Sequence, residues 1–375
     1  MAITLHGTRA SNTDVLTPDS DIYRPKVQPI IINGDMAVAQ RGTQTGKTDG
    51  CYTATDRFYF NSINMGTWTL SQSTENPGFG FAHSLKWDCT SADGGVGASD
   101  NNYLSVQTEG RNLQGLQKGT SNAKTSTVAF WIKCNKTGNI VCELWDRTND
   151  RHVGQVVSIS SADTWEKKIV NFPADTSGAI ASDNARSIMI SWSFGAGSNF
   201  TSGTLPTSWA SRVDANRFVG TTLGLPESTD NELYITGVQW EVGTFTADTI
   251  PPFQFEDAGA SLMRCYRYFY KDVANTTFSV FGAGFQGGST IGHTVINFPT
   301  TMRALPTMTS GGDFQLIIGS SKSVTSLGFD GNSRSLNNCR ADCTVSGGGL
   351  TPTGGGTILR SHNNTASFIS AEAEI

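Results

Sequence analysis

The sequence predicts an all-β protein that is divided into two β-domains, and three observations predict this fold class. Charged residues make up only 16% of the 375 positions, whereas Gly alone supplies 41. Short runs of alternating apolar and polar residues are separated by clusters of Gly, Asn, Asp and Ser, which favour turns. A chain of this length also exceeds one ordinary hydrophobic core. We therefore expect many short strands in more than one domain.

The first segment, residues 1–29, cannot bury much apolar surface alone. Pro25 and Pro29 disfavour a helix, and no flexible Gly/Ser linker separates the segment from the body of the chain. These features favour an extended N-terminal arm that lies on a neighbouring subunit. A segment that is disordered in the free protein is the alternative.

Residues 30–256 carry the clearest strand patterns and predict a jelly-roll-like β-sandwich. In the run 127–134, every second residue is apolar and points to one face, namely Val128, Phe130, Ile132 and Cys134. The run 187–194 repeats this alternation. Further strands are expected at 139–147, 152–160, 165–172 and 232–242.

A connecting helix is predicted over 257–270, because Asp257 can cap it and an apolar stripe follows. Residues 271–375 change character, since all eight tryptophans lie between Trp68 and Trp240 and Gly triplets appear. This last segment predicts a smaller C-terminal β-domain. Its expected strands are 278–281, 294–298, 314–318 and 366–371.

Two strings bracket the predicted sandwich and are expected to form its first and last strands. The first is Asn33-Gly-Asp-Met36 followed by Ala39-Gln-Arg-Gly42, and the second is Gln239-Trp-Glu-Val-Gly243. Between and after them stand Asp56-Arg-Phe58 and Cys265-Tyr-Arg-Tyr268. In this order and spacing, the motifs resemble structural and fibre proteins of tailed bacteriophages that contain a carbohydrate-binding-module-like β-sandwich.

The resemblance implies a virion protein of the fibre or adhesin type. Such a protein would form a homotrimer, attach to other virion proteins through its N-terminal arm and contact glycan on the host surface. A capsid-surface or decoration protein without a receptor role is the first alternative. The N-terminus shows no signal-peptide pattern, which fits synthesis in the host cytoplasm followed by assembly into the virion.

Composition argues against several other partners and cofactors. The net charge of −5 disfavours nucleic-acid binding, and no apolar run approaches the ~18 residues that a membrane span needs. The seven cysteines have no regular spacing and are expected to be reduced. No cofactor is predicted, although Asp-Gly loops at Asp93 and Asp330 leave Ca²⁺ open. Two nucleotide-site patterns, at 42–48 and 282–287, lack the strand-to-helix context that phosphate binding requires.

Catalysis is not predicted, although a polysaccharide-degrading enzyme is the second alternative. Glycoside hydrolysis needs two carboxylates at a fixed separation, and 32 acidic residues make a chance pair uninformative. The remaining signal is aromatic, because an exposed ring can stack on the apolar face of a sugar. Trp131, Trp192 and Trp240 lie inside strands and are expected in the core. Four tryptophans at strand ends or in loops are the candidate glycan-binding residues: Trp68, Trp87, Trp145 and Trp209.

Oligomerisation is the first testable expectation. A closed ring of identical contacts covers sheet edges, and a trimer is what the resemblance implies. Light scattering on the purified protein at micromolar concentration should give three times the chain mass of 40.1 kDa. The mass of a single chain would contradict the prediction.

Overall fold

The computed structural model describes residues 28–351 and 355–375, and almost all of its regular structure is β-strand. The all-β fold class is therefore confirmed. Nearly all of the predicted N-terminal arm, residues 1–27, lies outside the described residues. No helix in the described part of the chain is long and apolar enough to cross a membrane.

The N-terminal domain is a sandwich of two antiparallel sheets. The spatial order of the six-stranded sheet is β1 (Gln44–Lys47), β4 (Thr67–Ser73), β5 (Ser84–Ser91), β13 (Glu232–Val242), β7 (Ser126–Cys134) and β10 (Glu166–Phe172). The order of the seven-stranded sheet is β12 (Ala210–Ser211), β9 (Arg151–Ile159), β8 (Gly138–Asp146), β11 (Arg186–Ala196), β6 (Asn101–Glu109), β3 (Phe58–Ile63) and β2 (Cys51–Tyr52). All six strands expected from the alternation in this domain are present, with ends shifted by at most two residues.

The sandwich core lies between the inner faces of these sheets. Its largest fully buried side chains include Trp68, Trp87 and Trp192, and Trp240 is 2% exposed. Phe60 and Phe194 pack edge-on against Trp87, with ring centroids 4.9 and 4.8 Å away. Because one tightly packed aromatic cluster joins both sheets, loss of a single ring should be felt across the domain.

The opening string is a buried turn and not the first strand, which corrects the expectation from the sequence. Asn33 and Met36 both have φ near 60°, and the Asn33 side chain bonds the backbone of Val38 and the carbonyl of Asp56. The Gly34 carbonyl accepts a hydrogen bond from the Val238 amide at 2.9 Å. A Cβ at Gly34 would lie 2.1 Å from the Val238 carbonyl oxygen, so only Gly allows this approach to β13.

The helices in the described part of the chain are short. They are α1 (Ser198–Thr201) and α2 (Ala258–Tyr266), with 3₁₀ turns at Gly110–Leu116, Asp214–Asn216 and Leu225–Glu227. The predicted connecting helix is α2, and Asp257 caps it by accepting from the amides of Gly259 and Ala260. It ends earlier than expected, because residues from Phe269 onward pair as a strand.

The C-terminal domain has its own core and two β-assemblies. A three-stranded sheet has the order β14 (Phe269–Val273), β22 (Phe368–Glu372) and β17 (Thr307–Gly311). A closed barrel has the order β15 (Val280–Gln286), β16 (Ile291–Asn297), β20 (Asn338–Val345), β19 (Ser321–Arg334), β18 (Phe314–Ile317) and β21 (Gly356–Ser361). Five of these strands, β14, β17, β19, β20 and β21, were not expected. In β17, β19 and β21, frequent Gly, Ser and Thr obscure the apolar alternation, whereas β20 does alternate, with Cys339, Ala341, Cys343 and Val345 buried. Strand β14 begins inside the segment predicted as a helix.

Buried polar contacts join the two domains at what we call the interdomain joint, formed by Gln40, Arg41, Asp56, Arg57, Glu109, Arg267, Tyr268 and Glu374. The Glu374 carboxylate pairs with Arg57 and lies 3.2 Å from Arg41. Arg41 also packs over the ring of Phe269 at 3.7 Å. Glu374 and both of its arginine partners are at least 91% buried, so water screens these pairs little.

A second part of the joint involves Glu109 at the end of β6. Both of its oxygens accept hydrogen bonds from Arg267 at 2.8 Å, and Tyr268 donates a third at 2.5 Å. Burial alone would raise the pKa of Glu109, but these bonds outweigh it and lower the pKa. The joint therefore holds the C-terminal domain in a defined position against the seven-stranded sheet.

Substitution of Trp240, near the end of β13, tests the assignment of the sandwich core. Replacement of Trp240 by Ala should destabilise the protein by about 3–5 kcal/mol, because the cavity left in a dense core does not collapse fully. Denaturant unfolding measures this loss. The control is Trp131→Ala on the neighbouring strand, whose half-buried ring lies on the outer face. We expect it to cost less than half as much, and equal losses would contradict the core assignment.

Candidate functional site

A groove of about 580 Å³ runs between the outer face of the seven-stranded sheet and the C-terminal domain. Strands β2, β3, β6 and β11 supply its floor. Residues 303–305 and 372–375 of the C-terminal domain supply the opposite wall. The wall stays in place because Glu374 belongs to the interdomain joint.

Three tyrosines present their rings to this groove: Tyr52, Tyr59 and Tyr103. Tyr59 points outward because its neighbours Phe58 and Phe60 are fully buried in the sandwich core. The same alternation turns Tyr103 away from the core. The rings of Tyr52 and Tyr59 meet edge to face at 5.1 Å, and Tyr103 packs against Phe218 at 5.6 Å. The floor therefore carries fixed, half-buried aromatic surface.

Polar side chains between the tyrosines are not all paired. Ser105 is 1% exposed, and its hydroxyl has no hydrogen-bond partner among the described residues. The buried side-chain oxygen of Gln107, on the same strand and face, also lacks a partner there. Buried polar atoms are nearly always hydrogen-bonded, so these two are positioned to bond a ligand or water. Asn61 adds a further amide to the lining.

A buried ionic network lies on the same outer face, beside the groove. Glu143 accepts hydrogen bonds from the Arg217 guanidinium at 2.8 and 3.1 Å and lies 2.9 Å from His152 Nδ1. Burial raises the pKa of Glu143, but Arg217 and His152 outweigh this effect and lower it to about 2. The pair fixes Arg217 and, next to it, Phe218, which packs against Tyr103.

Two of the four tryptophans predicted from sequence are not at the surface. Trp68 and Trp87 are both 0% exposed and belong to the sandwich core, so neither has a face for a sugar. Their strands explain this placement, since Trp68 alternates with Leu70 and Trp87 stands between Leu85 and Cys89, which are also buried. Trp87 lies in the middle of β5, and Trp68, although it is the second residue of β4, points into the core, so the expected exposure of both rings was wrong.

The other two tryptophans are half-buried and do not themselves line the groove, although Trp145 contacts the lining residue Arg147. Three guanidiniums surround the ring of Trp145, those of Arg147, Arg212 and Arg217 at 3.7, 4.0 and 4.7 Å. Trp209 packs against the sandwich core, and its Nε1 donates to the Pro173 carbonyl. The structure thus does not bring the four candidates together.

The sequence-based reasoning missed the tyrosines and misplaced Trp131. That ring lies on the outer face of the six-stranded sheet, where Phe79 stacks on it at 5.1 Å and is itself 76% exposed. The signal was present, because an inward Phe130 and Ile132 require an outward Trp131. Trp192 and Trp240 do lie in the core, as predicted.

Other sequence patterns add no site. The pattern at 42–48 overlaps the short strand β1, and the pattern at 282–287 lies within β15. Among residues 28–351 and 355–375, no group of three or more His, Cys, Asp or Glu side chains is arranged to hold a metal ion. All seven cysteines are free thiols, and Cys134 and Cys142 belong to opposite sheets.

Comparison with known proteins gives no family assignment. No family model and no curated protein matches the chain. Among solved structures, it is similar to the enzymatically active domain of bacteriophage CBA120 tailspike protein 4, with 9% identity over 57% of this chain and 21% of that one and a TM-score of 0.29.

Two sugar-related structures are similar at the same level. One is a putative sugar binding protein from Bacteroides thetaiotaomicron, with 12% identity over 57% of this chain and 100% of that one and a TM-score of 0.31. The other is TmCBM61 in complex with β-1,4-galactotriose, with 10% identity over 58% and 99% and a TM-score of 0.28. Similarities this distant carry no argument about function.

The Glu143 network can be tested by substitution. Glu143→Gln should destabilise the protein by about 3–5 kcal/mol at neutral pH, because Arg217 is left buried without a counter-charge. The lowered pKa of Glu143 stabilises the wild type above its ordinary value of 4.5, and this contribution is lost as pH falls towards 2. In urea unfolding, the free energy of unfolding of the variant should not show the decrease between pH 4.5 and 2 that this carboxylate causes in the wild type.

Glu227→Gln is the matched control, because Glu227 is 51% exposed in its pair with Lys136. An exposed pair contributes at most about 1 kcal/mol. Similar losses in the two variants, or an unchanged acid dependence in Glu143→Gln, would contradict the buried-pair interpretation.

Proposed function

We propose that this protein binds glycan in the groove between the seven-stranded sheet and the C-terminal domain. The observation that carries the proposal is the combination on the groove floor of the Tyr59 and Tyr103 rings with two oxygens, of Ser105 and Gln107, that have no hydrogen-bond partner in the described part of the chain. A sugar has apolar C–H faces and a rim of hydroxyls, so it needs flat apolar surface and hydrogen-bonding groups side by side.

The rings should supply most of the affinity. Burying apolar C–H surface contributes roughly 25 cal/mol per Å², whereas a sugar hydroxyl exchanges water for protein at little net gain. The oxygens of Ser105 and Gln107, which lack a partner among the described residues, then select orientation, because a sugar that bonds them satisfies polar atoms that the free protein leaves unpaired. A single groove of this kind binds weakly, and several identical grooves on one particle would act together.

We propose binding without catalysis. Two carboxylates line the groove, Glu372 and Glu374, and both lie within 4 Å of Arg41. Glu374 is also paired with Arg57. A glycosidase needs one neutral carboxylic acid, and neighbouring guanidiniums favour the charged form instead. Loss of polymer length on incubation with polysaccharide would favour the enzyme alternative.

We further propose that the chain acts on a bacteriophage particle as a trimeric fibre or adhesin-type protein. Support for this role is the sequence resemblance in motif order, and several of those motif residues lie at the interdomain joint. A capsid-surface protein without a receptor role is the competing proposal. Imaging of intact particles with this chain labelled distinguishes a tail position from a capsid lattice.

Tyr59→Ala and Tyr103→Ala test the groove. Each should reduce binding on a glycan array about tenfold or more, since a stacked ring contributes over 1.4 kcal/mol of the affinity. Thermal unfolding checks that each variant remains folded. The matched control is Phe79→Ala, which removes an exposed loop ring that stacks on Trp131 of the opposite sheet. If Phe79→Ala lost glycan binding while both tyrosine variants kept it, the proposed groove site would be wrong.

A further inference from the structure

In the part of the chain that the structure describes, two arginines of the groove have neither an acidic partner nor a hydrogen-bond partner for their guanidinium groups. Arg147 follows β8 and Arg186 begins β11, and the Arg147 amide donates to the Ser187 carbonyl at 2.9 Å, which places the two arginines side by side. Both line the groove. Among the described residues, no carboxylate oxygen lies within 4.0 Å of either guanidinium.

The acidic groups around this position are already engaged. Glu143 is bound by Arg217 and His152. Asp214 pairs with Arg212, and Asp150 accepts from Trp145 Nε1 at 3.2 Å. None of these carboxylates is therefore left to neutralise Arg147.

The like charges around Arg147 disfavour its own charge. Its guanidinium is half-buried, with Arg186, Arg212 and Arg217 nearby, and the face of the Trp145 ring at 3.7 Å offsets only part of this effect. Burial and then the charge of Arg186 lower the pKa of Arg147 to about 10. The side chain still carries its charge at neutral pH, without the compensation that buried charges normally have.

The remaining charges of the groove belong to its opposite wall. Arg303 donates to the carbonyls of Asn184, Ala373 and Glu374 and so holds the wall in place. The carboxylates of Glu372 and Glu374 lie beside Arg41, near the Tyr52 end of the groove. The groove is thus positively charged at the end formed by β8 and β11, and its two carboxylates, Glu372 and Glu374, lie at the Tyr52 end.

We propose that the glycan bound in this groove is acidic, and that Arg147 and Arg186 bind its carboxylate, phosphate or sulfate group. This inference rests on the proposed glycan-binding function and adds the ligand class. A guanidinium presents paired N–H donors that match two oxygens of such an anion. The anion would also reduce the repulsion between the two arginines, because its negative charge compensates both guanidinium groups when the ligand binds.

The experiment uses a glycan array that pairs neutral oligosaccharides with uronic-acid, sialic-acid, phosphorylated and sulfated forms. The full-length protein should prefer the acidic members, and the preferred form identifies the anionic group. Arg147→Gln and Arg186→Gln should each weaken this binding by about tenfold to a hundredfold, the loss typical of one charged hydrogen-bonding partner. Arg147→Lys should bind better than Arg147→Gln but worse than the wild type, because lysine keeps the positive charge but lacks the paired N–H donors of the guanidinium.

Two controls accompany the arginine variants. Lys167→Gln makes the same charge change at an exposed position of the opposite sheet and should bind like the wild type. Arg147→Gln should melt at the wild-type temperature or above it, because it removes an unpaired cation from a cationic cluster. Arg186 is exposed, so its variant keeps the test decisive if Arg147→Gln fails to fold.

The outcomes separate this inference from the proposed function. Preference for neutral glycans that depends on Tyr59 but not on Arg147 overturns the acidic ligand and leaves glycan binding intact. Equal losses in Lys167→Gln and Arg147→Gln also overturn it, since bulk charge would then explain the preference. Binding to no glycan on the array overturns both.

Discussion

The buried carboxylate of Glu374 is the interaction on which the rest of the structure depends. It lies between Arg41 and Arg57, which belong to the sandwich, while Glu374 itself comes from the end of the C-terminal domain. The residues around it form one wall of the groove. A buried ion pair contributes little net stability compared with apolar packing, but an arrangement that leaves one of its charges buried and unpaired is strongly disfavoured. The joint therefore helps to hold the wall of the groove in its position against the sheet.

This arrangement gives a physical meaning to the motifs that resemble phage proteins. Gln40 bonds both Asp56 and the backbone of β14 at Phe269 and Lys271, and Arg57 reaches Glu374. The Arg267-Tyr268 pair closes the other half of the joint on Glu109. These residues therefore hold two domains together, whereas the proposed ligand contacts lie on neighbouring strands between them.

The fold class and six of the thirteen sandwich strands could be predicted, because alternation is a local property of the sequence. Alternation along a strand also predicts the orientation of single residues, since it places Trp87 inward with Leu85 and Trp131 outward. The Gly, Ser and Thr residues near Trp68 and Trp87 are typical of loops, and this local composition conflicts with the alternation that places both rings in the core. The groove could not be predicted in this way. Its floor and its wall are separated by more than one hundred residues in sequence, and the joint brings them together.

The confinement of all eight tryptophans to residues 68–240 gives the protein a built-in optical label. Indole emission reports the sandwich alone, and Trp192 and Trp240, deep in its core, will change environment only when that core opens. Far-ultraviolet circular dichroism reports strands of both domains. Comparison of the two signals during unfolding therefore shows whether the domains melt together or in sequence. The coupling energy that the buried charges carry across the boundary thus becomes measurable without any added fluorophore.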